Sequence, residues 1–275
     1  MYVSCSCLAC DRRRYPTIRE ALRKIRDLGF FAFDLDAFEG WQHVDPSKLA
    51  SGEAGRWAEE FLKAVDELGL KVSSFNCGLS AKLNDPDPEA FERCRREFSA
   101  LLELAAEVGC PNITLQPGPF IPGYDQEHLL SVLRDHVLEL ARMCEGSGVG
   151  IGLEAHANTV IERPEAALRL MDEVYPEVGL TYDPSHFAMQ GIPLEETEPL
   201  LRYAVHIHVR DAAPGRMQER VGEGVVDFRW LVEALRRYGY EGALTIEYFN
   251  DFDPDFSSVL ALRDQLVKLG VSPKP

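Results

Sequence analysis

AVHIHVR, residues 204–210, alternates along its length: Ala204, His206, His208 and Arg210 share one face of an extended strand, and Val205, Ile207 and Val209 share the other. A strand covered by helices on both sides of an open parallel sheet reads as a near-continuous apolar run. Here one face carries two imidazoles and a guanidinium, so helices are expected on the apolar face and an enclosed axis on the polar one, as in a closed parallel barrel.

The same parity recurs in three other short runs. Gly152, Glu154 and His156 oppose Ile151 and Leu153; Thr181 and Asp183 oppose Leu180 and Tyr182; Thr245 and Glu247 oppose Leu244 and Ile246. Working outward, strands are predicted at 2–8, 30–37, 71–77, 112–117, 150–156, 179–184, 204–210 and 243–249, each bounded by Gly, Pro, Asn or Asp. Helical patterns fall between them at 17–28, 53–68, 87–108, 126–146, 164–174, 228–238 and 255–269, with a weaker one near 194–202. Gly29, Gly69, Gly109, Gly148 and Gly239 stand where left-handed helix stops are expected. Eight strand–loop–helix units without a linker predict an α/β protein with a single (β/α)8 TIM barrel, residues 1–275 forming one domain. An open doubly wound sheet is disfavoured, because no GxGxxG turn follows the first strand.

At 275 residues the chain matches the roughly 250 residues such a barrel needs. Its 45 acidic and 29 basic side chains leave a formal charge of −16, which repels phosphate backbones and makes nucleic acid an unexpected partner. The seven cysteines are odd in number and scattered, unlike a secreted disulfide framework, so they are read as reduced and the location as cytoplasmic. No basic leader or long apolar run marks export or membrane insertion.

Four strand ends in the second half carry Glu154, Asp183, His208 and Glu247, all on the inward face. A lone strand-end Glu can salt-bridge to a neighbouring Arg, and a lone His can be a satisfied core residue. Several carboxylates converging on one axis repel one another without a cation, and Arg210 is the main inward base, so one divalent metal ion is expected. Three carboxylates and one imidazole suit Mn²⁺, Mg²⁺ or Co²⁺ better than Zn²⁺. Asp34 and Asp36 also face inward, either to hold substrate hydroxyls or to pair with Lys or Arg.

The segments GLEAH (152–156), YDPSHF (182–187), HIHVRD (206–211), GEG (222–224) and LTIE (244–247) resemble the sugar phosphate isomerase/epimerase superfamily, the xylose isomerase-like barrels, over essentially the whole chain. The resemblance implies that Glu154, Asp183, His208 and Glu247 bind one metal and that His186 contacts substrate, with His156 a further substrate or supporting group. Its endonuclease branch uses additional histidines; here the strand ends show Asn76 and Gln116, and 211–227 contains no histidine, which disfavours a trinuclear phosphodiesterase. Ketose 3-epimerases carry a substrate arginine shortly after the strand-7 His, for which Arg216 is the nearest loop candidate. Arg210 either shares that role or forms an ion pair with Asp211 or a metal-binding carboxylate.

The expected reaction is isomerisation or epimerisation of a small carbohydrate or related keto-polyol, Glu154 and Glu247 transferring the proton. Dehydration of an inosose or keto sugar is the alternative, and a barrel that binds a ligand without turnover the more distant one. Phe38, Trp41, His43 and Lys82 lie on loops able to cover a small polar substrate, although aromatics more often pack than bind. Loop aromatics are also compatible with a homo-oligomer. Gly222-Glu223-Gly224 reads as a flexible turn or as loop punctuation.

Overall fold

The computed structural model describes residues 1–275. Eight parallel strands, β1 (Tyr2–Ser6), β2 (Ala32–Phe38), β3 (Lys71–Gly78), β4 (Asn112–Leu115), β5 (Gly150–Glu154), β6 (Gly179–Tyr182), β7 (Ala204–Val209) and β8 (Ala243–Ile246), close into a barrel in which each strand pairs with its sequence neighbours and β1 with β8. Helices join them, the longest being Pro88–Glu107 and Gln126–Met143. This is a single (β/α)8 TIM barrel. The five glycines predicted as helix stops have φ between 58° and 87°. No helix is long and apolar enough to cross a membrane.

Outward-facing strand residues such as Ile207, Val209, Leu244 and Ile246 are wholly buried beneath the helices. The interior below the mouth is polar instead. Thr114 and Thr181 hydroxyls pair at 2.7 Å, Ser74 Oγ donates to Asn112 Oδ1 at 2.9 Å, and Ser73 Oγ donates to Asp34 Oδ1 at 2.6 Å. Small residues make room for these contacts: a Cβ added to Gly152 would meet Thr181 Oγ1 at 2.4 Å.

Several predicted boundaries differ for local reasons. β1 stops at Ser6, because the Leu8 N–H turns to Ser6 Oγ (3.0 Å) and Asp36 Oδ2 (2.9 Å) in a short 3-10 turn, Cys7–Cys10. β6 stops at Tyr182, because Pro184 lacks an N–H and opens the helix Pro184–Met189, which Asp183 caps. The weak helix near 194–202 resolves into one α turn, Leu194–Thr197, and a 3-10 turn, Glu198–Tyr203. Val205 corrects the opening alternation: it is the extra residue of a bulge against β6, is 38% exposed, and lays its methyls over Gly179 and Gly152. The periodicity holds from His206 onward.

Three elements lay outside the sequence reading. Pro46–Ala50 is helical, Pro184–Met189 is helical, and Asp211–Ala213 pairs with Arg216–Glu219 in an antiparallel hairpin over the mouth.

Candidate active site and metal centre

Each clustered side chain is delivered by a different strand end. Glu154 closes β5, His208 lies one residue before the end of β7, and Glu247 directly follows β8, its N–H still donating to Val209 O at 3.1 Å. Asp183 is extended (φ −125°, ψ 112°), as the residue before a proline tends to be, and its Oδ1 accepts from Ser185 N at 2.8 Å. One ligand-capable atom from each of the four lies within 4.8 Å of the others. All four side chains are buried.

His208 Nδ1 sits between the glutamates, 2.9 Å from Glu154 Oε1 and 3.6 Å from Glu247 Oε1. Arg210, only 2% exposed, is the fixed cation of the group: Nη2 donates to Asp183 Oδ2 (2.8 Å), Nη1 lies 2.7 Å from Glu247 Oε2, and Nε donates to Ser185 Oγ (2.8 Å). Its ion pairs are therefore with Asp183 and Glu247, while Asp211 is engaged elsewhere. The remaining carboxylate oxygens are held by amides. Gln116 Nε2 donates to Glu154 Oε2 at 2.5 Å and Asn76 Nδ2 to Glu247 Oε1 at 2.9 Å, so the two residues that mark the departure from the endonuclease pattern steady the glutamates.

Burial opposes ionisation of Glu154, but the His208 hydrogen bond and charge outweigh it and hold the carboxyl well below its usual range. Asp183 is likewise lowered, burial being overcome by Arg210 and then His186. Glu247 is raised, because burial, with Glu154 and Asp183 beside it, prevails over His208 and Arg210. His208 is raised well above the imidazole range despite burial, through Glu247, Asp34 and Glu154. His186 is pushed down to about 3 by burial and then by His156.

The donor set fits a divalent cation. Three buried carboxylates converge on one point, balanced in part by Arg210 and by a His208 whose pKa is raised, and a divalent ion taking the place of the His208 proton would complete the balance. The four residues can hold such an ion.

Above the cluster opens a cavity of about 520 Å³ with a polar floor and an aromatic wall, Phe38, Trp41 and Phe249, whose neighbouring ring centroids are 5.2 and 6.2 Å apart. His156 and Lys82 line it. His156 Nδ1 lies 2.6 Å from Ala157 O, an acceptor, so Nδ1 is the donor in that contact. His186 is wholly buried beneath His156, ring centroids 3.8 Å apart, and its Nε2 is 3.3 Å from Arg210 Nη2.

Two sequence-derived candidates lie elsewhere. Arg216 stands on the hairpin, two-thirds exposed and paired with Glu219, and it is the adjacent Met217 that lines the cavity. His43 turns away, its Nε2 lying 2.8 Å from Tyr15 O. Gly222 and Gly224 are a clasp rather than a free turn, their N–H groups donating to Asp211 Oδ2 at 2.8 and 3.1 Å. Residues the alternation did not single out also emerge. The sequence marks Asn76 and Gln116 only as strand-end residues that are not histidines, and it places His206 inward beside His208 without assigning it a partner.

A closed parallel barrel with carboxylates and an imidazole gathered at the C-terminal strand ends defines a TIM-barrel protein with its site in the usual place for that fold. The chain belongs to the xylose isomerase-like TIM barrel family, whose model matches residues 22–265. It is 28% identical over 222 residues to an inosose dehydratase of Geobacillus thermodenitrificans, covering 69% of this chain and 72% of the relative. It is 23% identical over 259 residues to a ketose 3-epimerase of Arthrobacter globiformis, covering 89% and 83%. A xylose isomerase-like TIM barrel protein from Mycobacterium smegmatis, crystallised in complex with magnesium, shares the fold with a TM-score of 0.76 at 19% identity, covering 98% of this chain and 96% of that one.

Proposed function

We propose that this protein is a metal-dependent isomerase or epimerase of a small carbohydrate or related keto-polyol, with Glu154 and Glu247 as its proton-transfer groups. One observation carries the reading: of the four clustered residues, these two line the cavity, while Asp183 and His208 are sealed beneath it. A divalent cation held by Glu154, Asp183, His208 and Glu247, with Mn²⁺, Mg²⁺ or Co²⁺ favoured over Zn²⁺ by the oxygen-rich set, would polarise a substrate carbonyl and stabilise charge on its oxygen.

The side chains supply the rest. Glu154 and Glu247 stand on strands three positions apart around the barrel, so a substrate between them presents opposite faces to the two carboxylates. One removes the proton beside the carbonyl and the other returns it, which inverts that carbon. Return to the adjacent carbon gives an isomerase. His156, on the cavity wall, is placed to hydrogen-bond a substrate hydroxyl, His186 backs the His156 ring from beneath without reaching the cavity, and Arg210 keeps Asp183 and Glu247 in place. Phe38, Trp41 and Phe249 offer apolar faces to the C–H side of a sugar ring and shield the reacting carbon from water. No glycine-rich phosphate cradle lines the mouth, which favours an unphosphorylated substrate.

The relative named inosose dehydratase favours a second reading, in which a β-hydroxyl departs after proton removal. One experiment separates them. Metal-loaded protein is incubated with ketoses, inososes and keto-glycosides in deuterated water, and deuterium uptake and product mass are followed. Uptake without loss of water supports isomerisation or epimerisation, and loss of one water supports dehydration. No change across the panel sinks both. In the isomerase reading Glu154→Gln and Glu247→Gln each abolish exchange, Glu247→Gln retaining part of the metal affinity; full activity in either variant removes the two-base scheme.

A further inference from the structure

Below the cluster, and outside the cavity, lies a second group of buried titratable side chains that the proposed chemistry does not use. Asp34, on β2, is wholly buried and surrounded by donors. Ser73 Oγ (2.6 Å) and Thr245 Oγ1 (3.1 Å) donate to its Oδ1; His206 Nε2 (2.6 Å) and His208 Nε2 (3.3 Å) approach its Oδ2. The Ser73 hydroxyl arrives through a bulge: Phe33 pairs with Val72 and Asp34 with Ser74, so Ser73 is the extra residue of β3. Its Oγ also meets Ser4 Oγ at 2.5 Å. Strands β1, β2, β3, β7 and β8 therefore all contribute to holding one carboxylate.

A carboxylate accepts hydrogen bonds and an imidazole nitrogen facing it must donate. In His208 both nitrogens face a carboxylate, Nδ1 towards Glu154 at 2.9 Å and Nε2 towards Asp34 at 3.3 Å, so without a cation both can donate; a cation held by the glutamates would take the place of the Nδ1 proton and leave Nε2 as the donor to Asp34. With Nε2 turned to Asp34, the nitrogen aimed at Glu154 and Glu247 is Nδ1. We propose that Asp34, itself positioned by Ser73, Thr245 and His206, is a positioning residue that holds His208 with its proton on Nε2 and its Nδ1 lone pair presented to the cation. Metal-binding histidines commonly donate their other N–H to a carboxylate, and loss of that partner typically lowers metal affinity or activity ~10–100-fold. Here the partner is anchored by three further side chains, so tight binding at the mouth depends on residues in the barrel's middle layer that never touch the cation or the substrate.

Asp34, His206 and His208 are themselves close enough to suggest a second cation site. The 2.6 Å contact between Asp34 Oδ2 and His206 Nε2 argues against it, since that distance is filled by a hydrogen bond and leaves no room for an ion between them.

The inference rests on the metal reading of Glu154, Asp183, His208 and Glu247, and Mn²⁺ titration calorimetry separates the two. Wild type is expected to bind one Mn²⁺. Asp34→Ala is expected to bind ~10–100-fold more weakly, with Asp34→Asn, which keeps an acceptor oxygen, recovering part of the loss. Ser73→Ala, which leaves Asp34 in place but removes one anchor, is expected to weaken binding by a smaller factor. A second measurement needs no variant: in ¹⁵N-histidine-labelled, Mg²⁺-loaded wild type, His208 Nε2 is expected to show a directly attached proton protected from exchange. Wild type that binds no Mn²⁺ overturns the metal reading and this inference together. Wild type that binds while Asp34→Ala and Ser73→Ala bind equally well overturns the inference alone, as does a His208 protonated on Nδ1 in the loaded protein. Two Mn²⁺ per chain, with the second lost in His206→Ala, would favour the rival cation site.

Discussion

Asn76 reaches from the end of β3 to the carboxylate that follows β8, its Nδ2 donating to Glu247 Oε1 at 2.9 Å. The contact fixes the direction of one of the two glutamates open to the cavity. Asn76→Ala leaves that oxygen without its amide donor, and kcat for deuterium exchange is expected to fall ~10–100-fold, by analogy with other groups that orient metal-bound side chains. Unchanged kcat and KM would show that Arg210 alone suffices to orient Glu247.

Arg210 is the one guanidinium amid buried carboxylates, and removing one partner of a buried ion pair typically costs about 3–5 kcal/mol. Arg210→Ala is expected to lose stability of that order when metal-free. Saturating Mn²⁺ should recover part of it, because the cation then neutralises Asp183 and Glu247. Denaturant titrations with and without metal check both halves; an equal loss in the two conditions would separate Arg210 from the cation.

Asp211 accepts from four backbone N–H groups, those of Ala212 (2.9 Å), Gly222 (2.8 Å), Gly224 (3.1 Å) and Val226 (3.3 Å). Asp211→Ala is expected to destabilise the protein by roughly 2–4 kcal/mol and to expose 211–226 to proteolysis. Gly224→Ala should reproduce the nicking, since a Cβ there would stand 2.0 Å from Asp211 Oδ1 and 2.5 Å from Ala212 O. Limited digestion with mass mapping decides the point, an intact hairpin in both variants being the contrary result.

Six of the seven cysteines are buried and none is disulfide-bonded. Burial pushes the Cys10 and Cys94 thiols up to about 12 and that of half-buried Cys144 up to about 11, so thiolate is scarce at pH 8. Native protein treated with an aromatic disulfide at that pH is expected to react slowly, Cys144 first, and to release all seven equivalents in denaturant. Fast labelling of several thiols in the native state would contradict the packing around β1 and β3.

The barrel was legible because inward and outward positions differ chemically, as at His206/Ile207 and Thr245/Ile246, and period-2 alternation survives in a linear string. Val205 escaped that reading because a bulge inserts one residue and breaks parity, and nothing in the residue type announces it. The gathering of Glu154, Asp183, His208 and Glu247 followed from four strand ends sharing one face. Asn76 and Gln116 could be placed at the mouth but not assigned partners, because an amide's partner depends on side-chain direction across the barrel. The hairpin was missed because its strands, Asp211–Ala213 and Arg216–Glu219, are too short to show a period. Arg216 was consequently expected at the site, whereas the turn sends it outward to Glu219.

Tyr248 ties that hairpin to the segment after β8: its hydroxyl accepts from Asp211 N at 2.9 Å and donates to Glu219 O at 3.0 Å, and Gln218 Oε1 accepts from Phe249 N at 2.8 Å. Two loops from adjacent strands are thereby fused into one rigid rim on the β7–β8 side of the mouth. Opening that side would break all three contacts at once and drag Glu247 with it. Trp41 packs against Phe249 of this same rim, so any opening of the mouth is expected further round, at the exposed Lys82 in the loop after β3, where none of the three contacts would have to break.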